Sequence, residues 1–296
     1  MSGKNNSPKA PLVSICIPTY NGEKYLEEAL ISALNQTYHN IEIIISDDNS
    51  NDNTFDVVSQ IKNNTKIPFF IYNHQQNGIA SNWNNCVRKA NGEYIKFLFQ
   101  DDIISPNCIE KMMQIALKDK KIGLVFSKRN FLYMDRNNFV DEMIKNYKEL
   151  HIYWPNLKSI NSGTKLLRKC NCLLDTPMNK VGEPTVVLLK KEVFSKVGYF
   201  NEKLVQILDY EFWYRVFKYY KIGFINEELA SFRLHDMQAS QKDINNDGKD
   251  YLLYDKLLYE NLFLQLPPNI QKKLFRKYNK LYNLLKRIKR KFKRYL

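Results

Sequence analysis

The sequence of 296 residues lacks a run of about 18 apolar residues, so it predicts no transmembrane helix. Its first ten residues are polar and lack the apolar segment of a signal peptide, and we therefore expect the chain to stay in the cytoplasm. It has 5 cysteines and no CxxC pair, a pattern that argues against a disulfide framework and against a structural zinc site. With 44% hydrophobic and 26% charged residues, the composition is typical of a globular protein.

Two nucleotide-binding motifs are also absent. The sequence contains neither GxGxxG nor GxxxxGK followed by Ser or Thr. Their absence disfavours a dinucleotide-binding Rossmann enzyme and a P-loop nucleoside triphosphatase. Any nucleotide site must therefore be built from other residues.

Positive charge is concentrated at one end of the chain. The formal net charge is +14, but residues 271–296 contain 12 Lys or Arg and no acid, which leaves only +2 for the rest of the chain. A nearly neutral body argues against a nucleic-acid-binding protein, and it leaves the partner of the basic tail as a separate question.

Apolar, β-branched segments recur every 26 to 29 residues in the first half of the chain. This spacing leaves room for a helix between most strands, as in βαβ units around a buried, mostly parallel sheet. The sequence therefore predicts an α/β fold. The predicted strands are Leu12–Ile17, Ile41–Ser46, Pro68–Tyr72, Tyr94–Phe99 and Ile122–Phe126, followed later by Val186–Leu189, Ile222–Ile225 and Leu229–Leu234.

Helical periodicity and capping residues predict the elements between these strands. Residues 127–180 show weak periodicity and yield no firm prediction. The predicted helices are Glu23–Asn35, Thr54–Lys62, Ile79–Ala90, one that starts at Ser105-Pro106, and Leu208–Tyr220; a polar linker at Asp243–Lys249 then leads to a helical C-terminal region.

Acidic pairs follow two of the predicted strands. Asp47-Asp48 is as typical of an Asx turn and helix cap as of a ligand-binding carboxylate, and Asp101-Asp102 is as typical of solvated acids as of a Mg²⁺ or Mn²⁺ site. Ligands of an open α/β sheet bind beyond the carboxyl ends of its strands. Because two neighbouring strands bring acids to that edge, we favour ligand binding.

These segments, taken in order, resemble the family 2 glycosyltransferases of the GT-A fold. Residues 13–21 (VSICIPTYN) look like the opening of the family, and Asp47–Asp52, Asn91–Ile95 and Gln100–Asp102 agree with its later motifs. The resemblance covers about residues 11–240. It implies a GT-A-like catalytic domain at 1–240, with a nucleotide-sugar half at 11–126 and an acceptor half at 127–240. A helical basic region would follow at 241–296.

The resemblance implies inverting transfer of a sugar from a nucleotide-sugar donor to a glycan or lipid-linked acceptor in cell-surface polysaccharide biosynthesis. It also implies Mg²⁺ or Mn²⁺ as a cofactor. By position in the motifs, the donor-binding residues are Pro18, Tyr20, Asp48 and Asp101, the metal ligands are Asp102 and His235, Glu183 binds the acceptor, and Asp209 is the catalytic base. Taken without the family, Tyr20 is also compatible with ordinary packing, Glu183 with an exposed turn, and His235 with a structural role.

Helical geometry gives an independent reason to choose Asp209. It shares an apolar stripe with Trp213, Val216 and Tyr220, which predicts that its carboxyl group faces inward and has a raised pKa. Glu211 stands four residues before Arg215 and is expected to form a surface ion pair. A helix-capping role is the alternative for Asp209.

Three other functions are compatible with parts of this sequence. One is a non-catalytic nucleotide-sugar-binding protein, and another is a nucleotidyltransferase, which would share the sheet, the metal and the nucleotide. A third is a polyanion-binding protein that works through the basic tail. The specific acid clusters and the neutral body favour the glycosyltransferase.

The tail predicts a helix with one apolar stripe and basic flanks. Its apolar residues are spaced alternately by four and three, at Leu274, Tyr278, Leu281, Leu285, Ile288, Phe292 and Tyr295. Such a helix fits an anionic membrane surface, and the alternatives are packing on the body or on a partner, including a coiled coil, and nucleic acid. We therefore expect a cytoplasmic protein that is peripheral at the inner face of the cell membrane, with no nucleic-acid partner.

Overall fold

The computed structural model describes residues 10–235 and 249–292, with side chains up to Arg287 in the last helix. Four parallel strands form the first half of the sheet and confirm the predicted βαβ pattern. They run in the order β3-β2-β1-β4. Every residue of β1, β2 and β4 is buried, because helices cover both faces of a parallel sheet. Their bounds are β1 Val13–Thr19, β2 Ile41–Asp47, β3 Phe69–Asn73 and β4 Tyr94–Phe97.

The four predicted helices of this half are present with small shifts at their ends. The first begins three residues later than predicted, since residues 23–25 form a turn. Ser105 and Pro106 likewise lie in a turn before the fourth helix, and the Ser105 carbonyl accepts the N–H of Cys108 at 2.9 Å. The helices are α1 Leu26–Leu34, α2 Thr54–Asn63, α3 Ile79–Lys89 and α4 Cys108–Ala116.

The second half extends the same sheet with mixed strand directions. β8 is antiparallel to both β4 and β6, whereas β6 and β9 are parallel. The two short strands predicted at 222–225 and 229–234 are one strand; its polar middle, residues 226–228, is exposed where the register with β6 shifts. The added strands are β5 Ile103–Ile104, β6 Ile122–Leu132, β7 Ile160–Ser162, β8 Val187–Lys190 and β9 Lys221–Arg233.

Residues 127–180, which gave no firm prediction, hold short elements that depend on tertiary contacts. α5 (Asn138–Tyr147) covers a small apolar cluster around Phe131 and Leu234, apart from the main core. α6 (Gly163–Lys169) packs closely on the backbone ahead of β9, because a Cβ on Gly163 would lie 2.3 Å from the Phe217 carbonyl oxygen. α6 has only 7 residues, and a helix this short leaves little periodicity in a sequence.

The C-terminal helices do not form a separate appendage. Six apolar side chains of this region are buried in the same core as the sheet, namely Tyr254, Leu258, Leu262, Leu266, Ile270 and Leu274. The helices are α7 Glu192–Val197, α8 Leu208–Tyr219, α9 Lys249–Leu262, α10 Pro268–Tyr278 and α11 Lys280–Phe292. The predicted domain boundary near 240 and residues 243–248 of the predicted linker lie outside the described residues. Within the described ranges, none of the helices has the length and apolar character needed to cross a bilayer.

The sequence predicted one continuous helix with an apolar stripe through the tail, and this prediction is wrong. Asn279 has an extended backbone, with φ −72° and ψ 110°, and it separates α10 from α11. Leu274, on α10, is fully buried, whereas Leu281, on α11, is largely exposed. The tail therefore divides into α10, which belongs to the core, and α11, which has no buried residue from Lys280 to Arg287.

Candidate active site

The ends of β1 and β2 form a network of short polar contacts. Asp47 accepts hydrogen bonds from the Thr19 hydroxyl at 2.6 Å and from the Ser50 N–H at 2.8 Å and hydroxyl at 2.6 Å. These contacts make Asp47 part of the turn that leads into α2, as the Asx-turn interpretation predicted. Asp48, the next residue, is therefore the acid of this pair that faces another segment.

Asp48 holds the loop that precedes α3. Its two carboxylate oxygens accept the backbone N–H groups of Asn77 at 3.0 Å and Gly78 at 3.2 Å. His74, which the sequence left without a partner, has its Nδ1 3.5 Å from Asp48 Oδ1. Each carboxylate oxygen can accept a second hydrogen bond, so Asp48 retains capacity for a ligand N–H.

Tyr20 extends from the end of β1 with its ring exposed. The Gln100 side-chain amide makes two hydrogen bonds to the Tyr20 backbone. Its Oε1 accepts the Tyr20 N–H at 2.9 Å, and its Nε2 donates to the Tyr20 carbonyl at 3.1 Å. Gly22 leaves room for this amide, since a Cβ there would lie 2.3 Å from Gln100 Oε1 and would displace the Gln100 side chain. Pro18, which was expected on the donor side, is buried within β1 beside Ser46 and offers no exposed contact to a ligand.

Asp101 and His235 meet at the same edge of the sheet, although 134 positions separate them. His235 Nε2 lies 3.0 Å from Asp101 Oδ2, and both side chains are partly exposed. Arg233 fixes this corner, because its Nε donates to the Asp101 carbonyl at 2.9 Å and its guanidinium lies 4.5 Å from the centre of the Tyr25 ring. The same Tyr25 ring lies 5.1 Å from the His235 ring.

Asp102 is fully buried, which contradicts the expectation that it presents a carboxylate to a metal ion. Its Oδ2 accepts the Thr185 hydroxyl at 2.6 Å, and its Oδ1 accepts the Arg233 N–H at 3.1 Å. Burial, followed by the charge of Asp101, raises the pKa of Asp102 well above its usual range. Asp102 therefore ties the end of β4 to the acceptor-side loop and to β9, and the accessible acid of the pair is Asp101.

The pair Asp101 and His235 has a spacing that suits a divalent ion. Two neighbouring ligands of an octahedral ion with bonds of about 2.1 Å lie about 3.0 Å apart, which is the observed separation of Oδ2 and Nε2. Among the residues that the structure describes, no group of three or more His, Cys, Asp or Glu side chains is placed to hold a metal ion. An ion at this corner would therefore take most of its ligands from a bound diphosphate and water.

Asp209 stands in the first turn of α8 and is buried, as its position on the apolar stripe predicted. Burial raises the pKa of Asp209 to about 8. Its Oδ2 accepts a hydrogen bond from Asn179 Nδ2 at 2.8 Å, and its Oδ1 accepts the N–H of Tyr210 at 2.7 Å. A carboxyl group with a pKa near neutrality is suited to accept a proton in catalysis.

Glu183 pairs with a residue that the sequence did not single out. Arg129 Nε, on β6, lies 2.9 Å from Glu183 Oε2, and these atoms are buried and contact each other as charges without an aligned hydrogen bond. The segment from Asn179 to Thr185 links the neighbouring acids, because Asn179 contacts Asp209 and accepts the Gly182 N–H at one end, while Thr185 donates to Asp102 at the other. Glu183 therefore lies between the end of β4 and the start of α8.

The loop before Glu183 is held by two polar side chains, those of Asn179 and the buried Lys180, that the sequence gave no means to find. Asn179 Oδ1 accepts the N–H groups of Val181 at 3.0 Å and Gly182 at 2.8 Å, while its Nδ2 reaches Asp209. Lys180 is fully buried and its ammonium group donates to the carbonyls of Asp175 and Pro177. These contacts fix the loop against α8.

The Glu211–Arg215 pair exists, but it is not on the surface as expected. Glu211 is buried, and the Arg215 guanidinium binds both of its oxygens at 2.8 Å. Arg215 also donates to the carbonyls of Val197 and Tyr199. The pair therefore anchors α8 to the segment before it and leaves Asp209 as the acid of this helix that reaches the site.

The chain belongs to glycosyl transferase family 2, whose family model matches residues 14–174. It is 32% identical over 252 residues to an uncharacterised glycosyltransferase of Rickettsia felis, a match that covers 84% of this chain and 38% of the relative. A similar protein of Rickettsia typhi is 32% identical over 244 residues, which is 80% of this chain and 68% of the relative. The chain thus spans well under half the length of the Rickettsia felis relative.

Two solved structures share the fold. S. aureus TarS, residues 1–349, superposes with a TM-score of 0.63 at 15% identity, covering 90% of this chain and 72% of that one. A mannosyltransferase from Pyrobaculum calidifontis in complex with GDP-Man and Mn²⁺ superposes with a TM-score of 0.55 at 16% identity, covering 91% and 70%. The architecture is accordingly the GT-A-like fold of these glycosyltransferases, as predicted from the sequence.

Proposed function

We propose that this protein is an inverting glycosyltransferase that moves a glycosyl group from a nucleotide-sugar donor to an acceptor hydroxyl. The observation that carries the proposal is the buried Asp209, with a pKa of about 8, in the same site as the accessible Asp101–His235 pair. The segment that contains Glu183 contacts Asp209 through Asn179 and contacts Asp102, the neighbour of Asp101, through Thr185. A base on one side and a diphosphate-binding corner on the other are the two requirements of this reaction.

The donor is proposed to bind along the ends of β1, β2 and β4. The exposed Tyr20 ring stacks on the nucleobase, and Asp48 accepts an N–H from it. Asp101 and His235 hold Mn²⁺ or Mg²⁺, and the imidazole ligand favours Mn²⁺. When bound, the ion offsets the charge that develops on the departing diphosphate. Similar structures contain UDP, UDP-GlcNAc or GDP-Man, so in those proteins the fold accepts a uracil or a guanine nucleotide.

Asp209 is proposed to act on the acceptor. Its carboxylate takes the proton of the acceptor hydroxyl while that oxygen bonds to the anomeric carbon. The bond from the anomeric carbon to the diphosphate breaks, and the nucleoside diphosphate leaves with the electron pair. A single displacement from one face inverts the anomeric configuration. Asn179 aims the base, and Glu183 is placed to hold an acceptor hydroxyl.

The identity of the acceptor stays a prediction. A glycan or lipid-linked saccharide, assembled into a cell-surface polysaccharide, is the acceptor class that we propose. The half-buried Glu183 carboxylate beside Asp209 is compatible with any sugar hydroxyl, since both groups accept hydrogen bonds.

The test is a thermal-shift panel of UDP- and GDP-sugars with and without Mn²⁺, followed by product analysis. We expect one donor to raise the melting temperature in the presence of Mn²⁺, and NMR of the product to show an inverted anomeric centre. Formation of a nucleotide sugar and pyrophosphate from a nucleoside triphosphate and a sugar 1-phosphate, with no transfer from the nucleotide sugars, would indicate a nucleotidyltransferase. Donor binding with neither transfer nor donor hydrolysis would indicate a non-catalytic binding protein, and a retained configuration would contradict the single displacement.

A further inference from the structure

The last helix differs from every element before it in what it exposes. The side chains of Leu281, Leu284 and Leu285 on α11 are each more than half exposed. No acid occurs from residue 271 to the end of the chain, which contains 12 basic residues in that segment. An apolar face with only positive charge beside it is unusual for a helix that faces water.

α11 starts from a fixed position on the body. α10 buries Ile270 and Leu274 in the core, and Lys277 Nζ lies 2.7 Å from Asp255 on α9. The Asn279 side chain then caps α11 by accepting the N–H of Tyr282 at 2.8 Å. Because α10 is held by the core, the direction in which α11 leaves the body is set by the fold.

The exposed leucines lie on one face of α11. At about 100° per residue, Leu281, Leu284 and Leu285 fall within an arc of about 100°. The sequence places Ile288 and Phe292 on the same arc. Tyr282 points to another side, where its ring lies 5.7 Å from that of Phe275 on α10. The contact with the body therefore uses one side of the helix and leaves the leucine face open.

The chemistry of this face selects among its possible occupants. The enzyme body does not cover the three leucines, which are exposed. A parallel second copy would bring two acid-free basic helices together, and their charges would repel. Nucleic acid would pair with the charges but not with the leucine face. An anionic bilayer satisfies both, because the leucines enter the acyl boundary while Lys and Arg bind lipid headgroups.

We propose that α11 is an interfacial helix that docks this protein on an anionic lipid bilayer. The helix lies in the plane of the surface, with Leu281, Leu284 and Leu285 inserted and its lysines and arginines at the headgroups. In a cell, the negatively charged cytoplasmic leaflet of the membrane is the surface that fits. The anchor is α11 alone, since α10 belongs to the core.

The test is co-sedimentation of the full chain with vesicles of phosphatidylglycerol and phosphatidylcholine, compared with vesicles of phosphatidylcholine alone. We expect the full chain to pellet with the anionic vesicles and to be released when salt is raised from about 0.1 M to about 1 M. It should stay in the supernatant with neutral vesicles. A chain that ignores anionic vesicles, or that pellets equally with both kinds, would overturn the proposal.

Matched variants separate the two parts of the interaction. Lys286→Glu with Arg287→Glu should lower vesicle affinity about 100-fold or more, whereas Lys118→Glu with Lys120→Glu, the same charge change on another exposed surface, should lower it less than about three-fold.

Leu281→Gln with Leu285→Gln should weaken binding at least about ten-fold. The control Ile152→Gln with Leu264→Gln removes equally exposed apolar groups elsewhere and should have little effect. Unchanged vesicle binding by Leu281→Gln with Leu285→Gln would show that the leucine face of α11 does not contact the bilayer. A full chain that elutes as a dimer, with the leucine variant monomeric and vesicle binding unaltered, would assign the face to a second copy.

Discussion

The proposed donor half and the proposed acceptor half of this molecule are built by different means. In the donor half, Tyr20, Asp48 and Asp101 each stand within a few residues of the end of a parallel strand. In the acceptor half, Asn179, Glu183 and Asp209 come from a loop and a helix that are fixed by contacts with distant segments, among them β6, Asp102 and the C-terminal helices. The first half positions its groups through strand register, and the second does so through packing.

The C-terminal helices support the acceptor half specifically. Asp250 on α9 accepts the N–H groups of Val205 at 2.9 Å and Gln206 at 2.8 Å, just ahead of α8. Tyr254 packs on Tyr210, with ring centres 5.2 Å apart. The segment that carries Asp209 is therefore held by α9 both just ahead of α8 and at its first turn.

The largest effect should come from the base on the acceptor side. Asp209→Asn should lower kcat about 1,000-fold or more while donor affinity stays within a few-fold, because the base acts on the acceptor. Steady-state kinetics and donor calorimetry measure the two quantities. Glu192→Gln, an exposed acid on α7, is the control and should leave kcat unchanged. Equal loss of kcat and of donor affinity would show that Asp209 belongs to the donor side.

Removal of core packing on α10 should test how far the acceptor half extends. Leu274→Ala should lower the free energy of unfolding by about 2–5 kcal/mol, because Leu274 is fully buried. Leu281→Ala, the same substitution on α11, should change the free energy of unfolding by less than about 0.5 kcal/mol, because Leu281 is largely exposed. Denaturant unfolding gives both values. Similar losses in the two variants would place α11 in the core as well.

Substitution of Asp101 and substitution of its neighbour Asp102 should have different effects on metal-dependent donor binding. Asp101→Asn should weaken Mn²⁺-dependent donor binding about 100-fold, because it removes one of two protein ligands. Asp102→Asn keeps an acceptor for the Arg233 N–H and a polar partner for Thr185, so its effect should stay below about ten-fold. Calorimetry with and without Mn²⁺ distinguishes them. A larger loss of donor binding in Asp102→Asn than in Asp101→Asn would indicate that Asp102 is the metal ligand.

The smallest effects should appear in the pH dependence of Asp209. Activity should rise with pH and level off above an apparent pKa near 8, since the base must be ionised. Asn179→Ala removes a hydrogen bond to the carboxylate, which raises its pKa and moves the profile to higher pH. A profile unchanged by Asn179→Ala, or one that falls between pH 6 and 8, would argue against Asp209 as the base.

The same raised pKa affects stability with a definite sign. The folded protein binds a proton at Asp209 more tightly than the unfolded chain, so stability due to this group is lost as pH rises from about 4 to about 8. Asp209→Asn should therefore stabilise the fold by roughly 1–2 kcal/mol at pH 9 and by much less near pH 5. Thermal unfolding at the two pH values measures the difference. An equal effect at the two pH values would mean that the pKa of Asp209 is not raised in the folded protein.

Sequence patterns alone determine the parallel half of the sheet and the acids at its edge. A strand buried on both faces must be apolar throughout, and its polar continuation must lie at the strand end, so β1, β2 and β4 could be located within two residues. The helical period likewise predicts that Asp209 is buried, because position on a helix face depends on local geometry only.

Only the tertiary structure decided that Asp101 rather than Asp102 is accessible, and what holds the loop around Asn179 and Glu183. Asp101 and Asp102 are adjacent and chemically identical, and their difference comes from Thr185 and Arg233, which lie 83 and 131 positions away. The pairs Arg129–Glu183 and Asp101–His235 have no local signature for the same reason. The break at Asn279 was also missed, since an apolar period continues through it, and burial of Leu274 on one side but not of Leu281 on the other depends on where the core ends.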